Sequence, residues 1–487
     1  MIGRQITVGD GVPGLAAGTY TLLPSTYALL PGAFRVELNG RAVGNAAFGS
    51  GGRMRNASYT TAARLGFANT GIADVQTTSV VLTPADTLRT YSNFNETSYA
   101  QFGQNWALRD GAPRPQLERD ARQLNLTPGS RLDVAAGTVD FTPAKDGRGG
   151  AAVLNGSRIE ILADGATPTE GFAGTSVHAS TLNNLKAATI SIGGAPTSTF
   201  VTQTASGFST ENSWQVGLGS GTTGELILRR GAMLEAGSVF LVVSNKEQGL
   251  TIEQGAGINT LGQGRAAWDS NDGYVLRPGQ AGVLAVTNGW LNLTSPTADD
   301  YGMNGAGYLH IGTCAAGASC AGDTMLYSEG SITAATNKSL ELGESVRYGT
   351  RNLTLAVGGI NIGTTATLAQ AKAAGVLPAG LTLNQDVLSR LLRGDISTGA
   401  PALENLMLTA SDSVNFYGSV DLSTIDKATG KSSLERLVLG APAFYGHGGA
   451  GDVARIETGT LVWNGATTPA GNVIAGGAGT GSGRFVV

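Results

Sequence analysis

The sequence has few charged side chains, few aromatic side chains and few of the residues that ligate metals. Asp, Glu, Lys and Arg make up 14% of the 487 residues, and the formal net charge is −4. A coiled coil or a helical bundle needs many more charged helix formers, and a disordered chain would have a hydrophobic share below the 41% found here. Both classes are therefore excluded. The small net charge also gives no electrostatic reason to expect nucleic acid or an anionic membrane as a partner.

Long hydrophobic runs are also absent from the sequence. A helix that spans a bilayer needs about 20 consecutive apolar residues, and no segment of the sequence has this character. The first residues lack the basic segment followed by an apolar segment that a signal peptide requires. The sequence therefore predicts no membrane span and contains no recognisable export signal.

The two cysteines and three histidines offer little metal chemistry. Cys314 and Cys320 lie in one short loop, which is flexible enough to close as a local disulfide. Such a bridge would imply an oxidising compartment, and the alternative is a pair of reduced thiols. Metal binding by this pair is not expected, because His310 is the one further ligand nearby and a structural zinc site normally has four. We predict neither a metal nor a cofactor.

Glycine is abundant, with 73 residues, and it separates short runs in which apolar and polar residues alternate. Examples are Leu250–Glu253 followed by Gly257–Leu261, and Leu353–Val357 followed by Gly359–Gly363. This alternation predicts strands joined by tight turns, and hence an all-β protein. Runs this short and this evenly spaced favour a β-solenoid, in which the inward Leu, Ile and Val of each coil lie on those of the next. A tandem of β-sandwiches is the alternative that the same alternation allows.

Two stretches interrupt this rhythm and are interpreted as insertions. One is rich in Asn, Arg, Gln and aromatic residues, and the other has a helical pattern. In the helical stretch, Thr382 or Asn384 can cap a helix that Gly394 is placed to end. The predicted organisation is a solenoid start over residues 1–40, an irregular insertion over 41–125, a β-solenoid over 126–365, a helical hairpin insertion over 366–399, and a β-solenoid with an open C-terminal end over 400–487.

One tripeptide in the sequence is a candidate adhesive motif. Arg393, Gly394 and Asp395 spell the tripeptide that integrins recognise. The favoured interpretation is the end of a helix, because the glycine also serves as a C-cap. Adhesion through this tripeptide is the alternative.

Candidate catalytic groups are sparse. Gly446 and His447, followed by two glycines, resemble the Gly-His-Gly of β-helical polygalacturonase-type hydrolases. Such enzymes also need clustered carboxylates as acid and base, and the pair Asp299 and Asp300 lies far away in the sequence. No nucleophile elbow, P-loop or His-Glu-x-x-His motif occurs. We predict no catalytic residues and no enzyme.

Several phrases of the sequence resemble the filamentous haemagglutinin family of Gram-negative bacteria. The resemblance runs from residue 12 to the C-terminus and lies in whole phrases rather than in catalytic motifs. These phrases are Val12–Val36, Gly380–Asp395, Asp412–Val420, Leu437–Gly446 and Gly451–Gly465.

This resemblance implies a right-handed parallel β-helix with small helical insertions. It also implies a secreted adhesin that mediates attachment, aggregation or biofilm formation and contributes to virulence. The implied partners are the outer-membrane pore of a two-partner secretion system and a receptor or glycan on a host or neighbouring cell. The implied location is outside a Gram-negative bacterium or on its surface.

The sequence departs from a full member of that family. It has neither a signal peptide nor the Asn-Pro-Asn-containing secretion domain, and no toxin module follows. We therefore interpret it as an interior or C-terminal-side fragment. The alternative function is a carbohydrate-active β-helix enzyme, a polysaccharide hydrolase or lyase, which would have a groove with converging carboxylates.

Overall fold

The protein is mostly β, with 45% of its residues in strands and 11% in helices. Two compact units make up the chain, Met1–Glu118 and Arg119–Val487. The computed structural model describes residues 3–42, 52–91, 98–110, 116–134, 139–199, 213–218, 223–244, 248–265, 274–277, 282–293, 307–314, 320–465, 473, 476, 479 and 481–487.

The first unit is built on an antiparallel sheet. Its strands are β1 (Arg4–Val8), β2 (Gly18–Thr21), β3 (Phe34–Ala42), β4 (Tyr59–Phe67) and β5 (Thr78–Pro84), accompanied by a 3₁₀ helix (Ser25–Leu29), α1 (Ala85–Arg89) and α2 (Tyr99–Asp110). The strand order is β2-β1-β4-β5-β3. Residues 1–40, predicted as a solenoid start, and residues 41–125, predicted as an irregular insertion, thus contribute strands to one sheet. The sequence could not indicate this, because alternation is the same in antiparallel and parallel strands.

The second unit consists of many short strands and a few helices. The strands are β6 (Gln123–Leu126), β7 (Arg131–Leu132), β8 (Ala151–Leu154), β9 (Arg158–Leu162), β10 (Thr175–His178), β11 (Thr189–Ile192), β12 (Gly194–Thr199), β13 (Ser213–Leu218), β14 (Glu225–Leu228), β15 (Met233–Glu235), β16 (Ser238–Val243), β17 (Gly249–Glu253), β18 (Gly257–Asn259), β19 (Tyr274–Arg277), β20 (Gly282–Thr287), β21 (Leu291–Leu293), β22 (Tyr308–Thr313), β23 (Thr324–Tyr327), β24 (Ser331–Ala335), β25 (Leu340–Leu342), β26 (Val346–Gly349), β27 (Asn352–Gly363), β28 (Gly380–Leu383), β29 (Asn405–Tyr417), β30 (Val420–Ser423), β31 (Ile425–Asp426), β32 (Lys431–Ser432), β33 (Arg436–Gly440), β34 (Phe444–Gly446), β35 (Val453–Glu457), β36 (Leu461–Asn464) and β37 (Arg484–Val486). The helices are α3 (Ala179–Asn183), α4 (Thr365–Ala373) and α5 (Gln385–Arg393).

Three long sheets organise these strands. A twelve-stranded sheet has the order β36-β33-β29-β27-β24-β20-β16-β11-β8-β6, with β28 and β34 paired alongside. A seven-stranded sheet has the order β25-β22-β17-β14-β9-β10-β7, and a four-stranded sheet has the order β15-β18-β23-β26. Between β14 and β27 the chain passes four times through the seven-stranded, four-stranded and twelve-stranded sheets in that order, with β19 and β21 added in a separate sheet. The other sheets of this unit are β12-β13-β19-β21, β30-β35-β37 and β31-β32.

Apolar side chains of successive strands align in rows across the interior. Leu226 pairs with Ile159 on one side and with Leu250 on the other, and Leu250 pairs in turn with Leu309. The next strand adds Leu340 to the same row. All five belong to one hydrophobic cluster that extends from Phe141 to Ile456. The interior of the second unit is therefore continuous.

One strand of the twelve-stranded sheet runs against the others. β20 pairs antiparallel with both β16 and β24, whereas the remaining pairs of the three long sheets are parallel. The chain reaches β20 from β19 and leaves it towards β21, and β19 and β21 pair with each other in a separate sheet. The apolar alternation of Gly282–Thr287 carries no information about direction.

A buried carboxylate is held on the seven-stranded sheet. Glu160 is fully buried, and its side chain accepts hydrogen bonds from Thr169 N at 3.0 Å, Thr169 Oγ1 at 2.7 Å and Ser176 Oγ at 2.7 Å. Arg229 Nε donates to the same carboxylate at 2.9 Å, and its Nη1 donates to Glu253 at 2.8 Å. The lone pairs of a charge removed from water are thus satisfied, which burial of a carboxylate requires.

The stretch predicted as a helical hairpin contains α4 and α5. Asn384, one of the two predicted caps, accepts a hydrogen bond from Val387 N at 2.9 Å at the start of α5. Gly394 follows the last helical residue with a φ of 53°, which favours glycine. The sequence did not predict β28, which lies between the helices and pairs with β27. This strand is too short for alternation to distinguish it from a turn.

Candidate functional site

The candidate tripeptide Arg393, Gly394 and Asp395 lies at the end of α5. Tyr327 Oη donates to one carboxylate oxygen of Asp395 at 2.6 Å, and Ser397 donates to the other through N at 3.0 Å and Oγ at 2.5 Å. These hydrogen bonds, first those of Ser397 and then that of Tyr327, lower the pKa of Asp395. Both carboxylate oxygens are therefore engaged within the fold, while Arg393 is exposed.

These contacts predict different effects for the two ends of the tripeptide. Asp395→Ala is expected to lower the free energy of unfolding by about 1–2 kcal/mol, because the hydroxyl of Tyr327 loses its partner. Arg393→Ala is expected to change it by less than about 0.5 kcal/mol. Both variants remain folded, and urea denaturation followed by circular dichroism measures the difference. Equal stability of the two variants would show that the Asp395 contacts contribute nothing.

His447 lies in a group of aromatic and amide side chains that we call the His447 patch, formed by His447, Tyr417, Tyr445, Asn415 and Asn361. The imidazole stacks on the ring of Tyr417, with centroids 4.7 Å apart and planes inclined by 10°, and lies edge-on to Tyr445 at 6.5 Å. Its Nε2 is 3.0 Å from Oδ1 of Asn415. Burial lowers the pKa of His447, so the ring is neutral at pH 7.

The floor of the His447 patch is a row of amides on neighbouring strands. Asn361 of β27, Asn415 of β29 and Tyr445 of β34 occupy paired positions. Asn415 Nδ2 donates to Asn361 Oδ1 at 3.2 Å, and Asn361 Nδ2 donates to the carbonyl of Pro378 at 2.9 Å. Both asparagines are almost fully buried. Since Asn415 Oδ1 is the acceptor in this arrangement, the Nε2 of His447 is the donor.

Sequence reasoning singled out His447 but missed the two asparagines. A signal for them exists in the sequence, because Gly359–Ile362 and Ser413–Phe416 share the pattern small, apolar, Asn, apolar. Aligning the two phrases places the asparagines at the same position of neighbouring strands. The aromatic partner Tyr417 could not be found in this way.

The surroundings of His447 differ from a hydrolase centre in one respect. The partner of its Nε2 is an amide oxygen rather than a carboxylate. Asp452, further along the chain, accepts hydrogen bonds from Ser419 Oγ at 2.8 Å and from Gly449 N at 2.7 Å. These bonds lower the pKa of Asp452. The candidate pair Asp299 and Asp300 lies outside the described residues.

The two other histidines lie away from this patch. His178 Nε2 is 2.9 Å from the carbonyl of Ala166, so the ring holds a loop. His310 belongs to β22 and stands in register between Thr251 and Glu341. Within the described ranges no group of three metal-ligating side chains is found.

The candidate cysteine pair is joined in the structure. Cys314 and Cys320 form a disulfide with Cα atoms 5.9 Å apart. Within the part of the chain that the structure describes, no helix combines the length and hydropathy needed to cross a membrane. Comparison of the chain with protein-family models, with curated proteins and with solved structures gives no match.

Proposed function

We propose that the second unit is a right-handed β-solenoid and that the chain is a structural and adhesive segment of a secreted surface protein of a Gram-negative bacterium. The repeated passage through three long sheets supports this proposal, because each passage adds one strand to each sheet. The continuous row from Ile159 through Leu250 to Leu340 supports it as well. Such a stack grows in length while its core stays equally thick, as suits a rod.

The export part of this proposal rests on the resemblance of the sequence to the filamentous haemagglutinin family. A member of the filamentous haemagglutinin family would leave the cell through a two-partner secretion pore. It would meet a host or neighbouring cell with its outer loops and insertions, because a rigid scaffold holds variable binding segments in place. Secretion and adhesion are both part of the proposal.

The observation that carries the adhesive part is the His447 patch. Within the patch His447 is exposed and Tyr445 is half-buried, and beneath them lie the buried ring of Tyr417 and the two buried asparagines. An aromatic ring such as that of Tyr445 packs against the apolar face of a sugar ring, while an imidazole such as that of His447 forms hydrogen bonds with hydroxyls. The neutral state of His447 suits an uncharged partner. We therefore propose a cell-surface glycan as the ligand of this patch.

Binding of the chain to glycan-coated beads and to whole cells tests this proposal. Tyr445→Ala is expected to weaken binding at least 10-fold, because it removes one aromatic wall of the patch. Arg393→Ala, which alters the exposed end of the tripeptide, is the matched control and is expected to leave binding unchanged. Loss of binding in Arg393→Ala but not in Tyr445→Ala would move the adhesive site to the tripeptide.

A carbohydrate-active enzyme is the second candidate, and the resemblance of Gly446 and His447 to a hydrolase motif favours it. Glycoside hydrolysis of the usual kind uses two carboxylates on either side of the scissile bond. Incubation of the chain with acidic and neutral polysaccharides, followed by measurement of new reducing ends, separates the two functions. Release of such ends, abolished by His447→Ala, would establish the enzyme.

A further inference from the structure

The two edges of the twelve-stranded sheet are formed by β6 and β36, and both have features of a site for strand addition. Among the described strands, each of the two is paired on one side only. Their sequences, Gln123–Leu126 and Leu461–Asn464, contain no charged residue and no proline. Natural proteins commonly place such residues on edge strands, where they prevent pairing with another chain. The sequences of β6 and β36 lack this protection.

Two rows of interior side chains cross the whole sheet from one edge to the other. The first row consists of Leu124, Ala152, Ile190, Val239, Val286, Ile332, Leu353, Leu406, Leu437 and Leu461. The second row consists of Leu126, Leu154, Ile192, Leu241, Leu284, Ala334, Leu355, Leu408, Leu439 and Trp463. Members inside the sheet are at most 4% exposed, whereas Trp463 is 44% exposed and the other three end members are half-buried. Both rows therefore stop at the edges with apolar side chains that a further strand would cover.

A cavity of about 180 Å³ lies beside the last strand of the sheet and opens to the solvent. Aromatic rings line it, among them those of Phe416, Phe444, Trp463 and Phe485. The ring of Trp463 lies 3.9 Å from that of Phe444 and 4.9 Å from that of Phe485, measured between centroids. An apolar side chain that entered from the solvent would therefore lie against aromatic rings.

The backbone of β36 is oriented for pairing on its outer side. On the inner side, Leu437 N of β33 donates to the carbonyl of Thr460 at 3.0 Å. Alternate residues of a parallel strand direct their backbone N–H and C=O groups to opposite neighbours. Those of Leu461 and Trp463 therefore point away from β33.

The backbone of β6 has the complementary arrangement. Asn155 N, just after β8, donates to the carbonyl of Leu126 at 2.8 Å. By the same alternation, the backbone groups of Gln123 and Asn125 point away from β8. The two edges thus direct backbone groups outward from different positions, the apolar ones on β36 and the polar ones on β6.

We propose that β36 of one copy of this chain pairs in parallel with β6 of a second copy, so that the second units join end to end. The two strands run in the same direction, because β20 is antiparallel to both of its neighbours and the other pairs are parallel. A copy displaced along the stack places Leu124 opposite Leu461 and Leu126 opposite Trp463. In this register Leu461 meets the outward backbone groups of Gln123 and Asn125, since each residue of a parallel pair bonds to the two that flank its partner.

This contact continues both interior rows from one copy into the next. It joins two different surfaces, so the association does not close on itself and produces a filament of copies. The contact depends on the observed strand pairing and not on secretion or glycan binding.

Sedimentation velocity of the full chain over a wide range of concentration tests the proposal. The unchanged protein is expected to form species larger than a dimer that grow with concentration. Trp463→Lys and Leu124→Lys each place a charge in the contact and are expected to raise the concentration of half-association at least 10-fold. Leu23→Lys is the control, because Leu23 is 64% exposed in the first unit, and it is expected to leave association unchanged.

An equal mixture of the two lysine variants separates this contact from other modes of association. Trp463→Lys keeps β6 intact and Leu124→Lys keeps β36 intact, so the mixture is expected to form dimers of one copy of each and nothing larger. Circular dichroism checks folding, and Val462→Lys or Asn125→Lys replaces a variant that does not fold. The proposal is overturned if the unchanged protein stays monomeric or forms only dimers, if the mixture does not associate, or if Leu23→Lys abolishes association.

Discussion

Leu250→Ala is expected to lower the free energy of unfolding of the second unit by about 3–5 kcal/mol. Leu250 is fully buried, and its side chain lies between those of Leu226 and Leu309 in the same interior row. Neighbours on both sides are fixed by parallel pairing, so the structure can relax only slightly into the space left by the missing atoms. The cost therefore includes both lost burial and the cavity. Urea denaturation followed by circular dichroism measures it.

Thr251→Ala is the matched control for this prediction. Thr251 is the next residue of the same strand, points away from the interior, and is half-buried. Its replacement is expected to cost less than about 1 kcal/mol. If both variants lose the same stability, the interior row is not the source of the stability of the stack.

Arg229→Met is expected to lower the free energy of unfolding by about 3 kcal/mol, because it leaves the buried carboxylate of Glu160 without its cation. The remaining hydrogen bonds from Thr169 and Ser176 still satisfy part of that charge. Arg347→Met is the control, because Arg347 pairs with Asp323 on the surface, where both side chains are about half exposed. An exposed pair contributes about 1 kcal/mol or less.

The pH dependence of stability provides a second test of the contacts around Glu160. Burial by itself raises the pKa of Glu160, but the hydrogen bonds from Ser176, Thr169 and Arg229 outweigh it and lower the pKa below the usual 4.5. A lowered pKa contributes stability that is present above pH 4.5 and is lost as the pH falls through the lowered value. In Arg229→Met this loss is expected to begin at a higher pH. Identical acid unfolding curves for the unchanged protein and for Arg229→Met would show that Arg229 does not lower the pKa of Glu160.

Much of the architecture could be predicted from the sequence, because the interior rows follow directly from alternation. Alternate residues of the two runs Leu250–Glu253 and Leu353–Val357 belong to the interior hydrophobic cluster, as the pattern predicts: Leu250, Ile252, Leu353, Leu355 and Val357. Strand direction could not be predicted in the same way. β20 and the strands of the first unit have the same alternation as the parallel strands, and their direction depends on how the connecting segments run.

The candidate site was less predictable than the fold. Gly394 could be recognised as a helix cap from its position, but the contact between Asp395 and Tyr327 joins residues 68 positions apart. His447 was visible as a motif, whereas its stacking on Tyr417 depends on the register between β29 and β34. Local patterns in the sequence identify turns and helix caps. Contacts between strands that are far apart in the sequence depend on the register of the strands, which these patterns do not give.

The reversed strand β20 has a consequence for the order of assembly. A stack of coils can grow by adding each new coil to the last, since every coil contacts only its neighbours. β20 joins the sheet in the opposite direction to its neighbours β16 and β24, and in the chain it lies between β19 and β21, which pair with each other in a separate sheet. Without β20 in place, β24 can pair on one side only, with β27. Growth of the twelve-stranded sheet from either end should therefore pause at β20, which divides the sheet into an earlier and a later block.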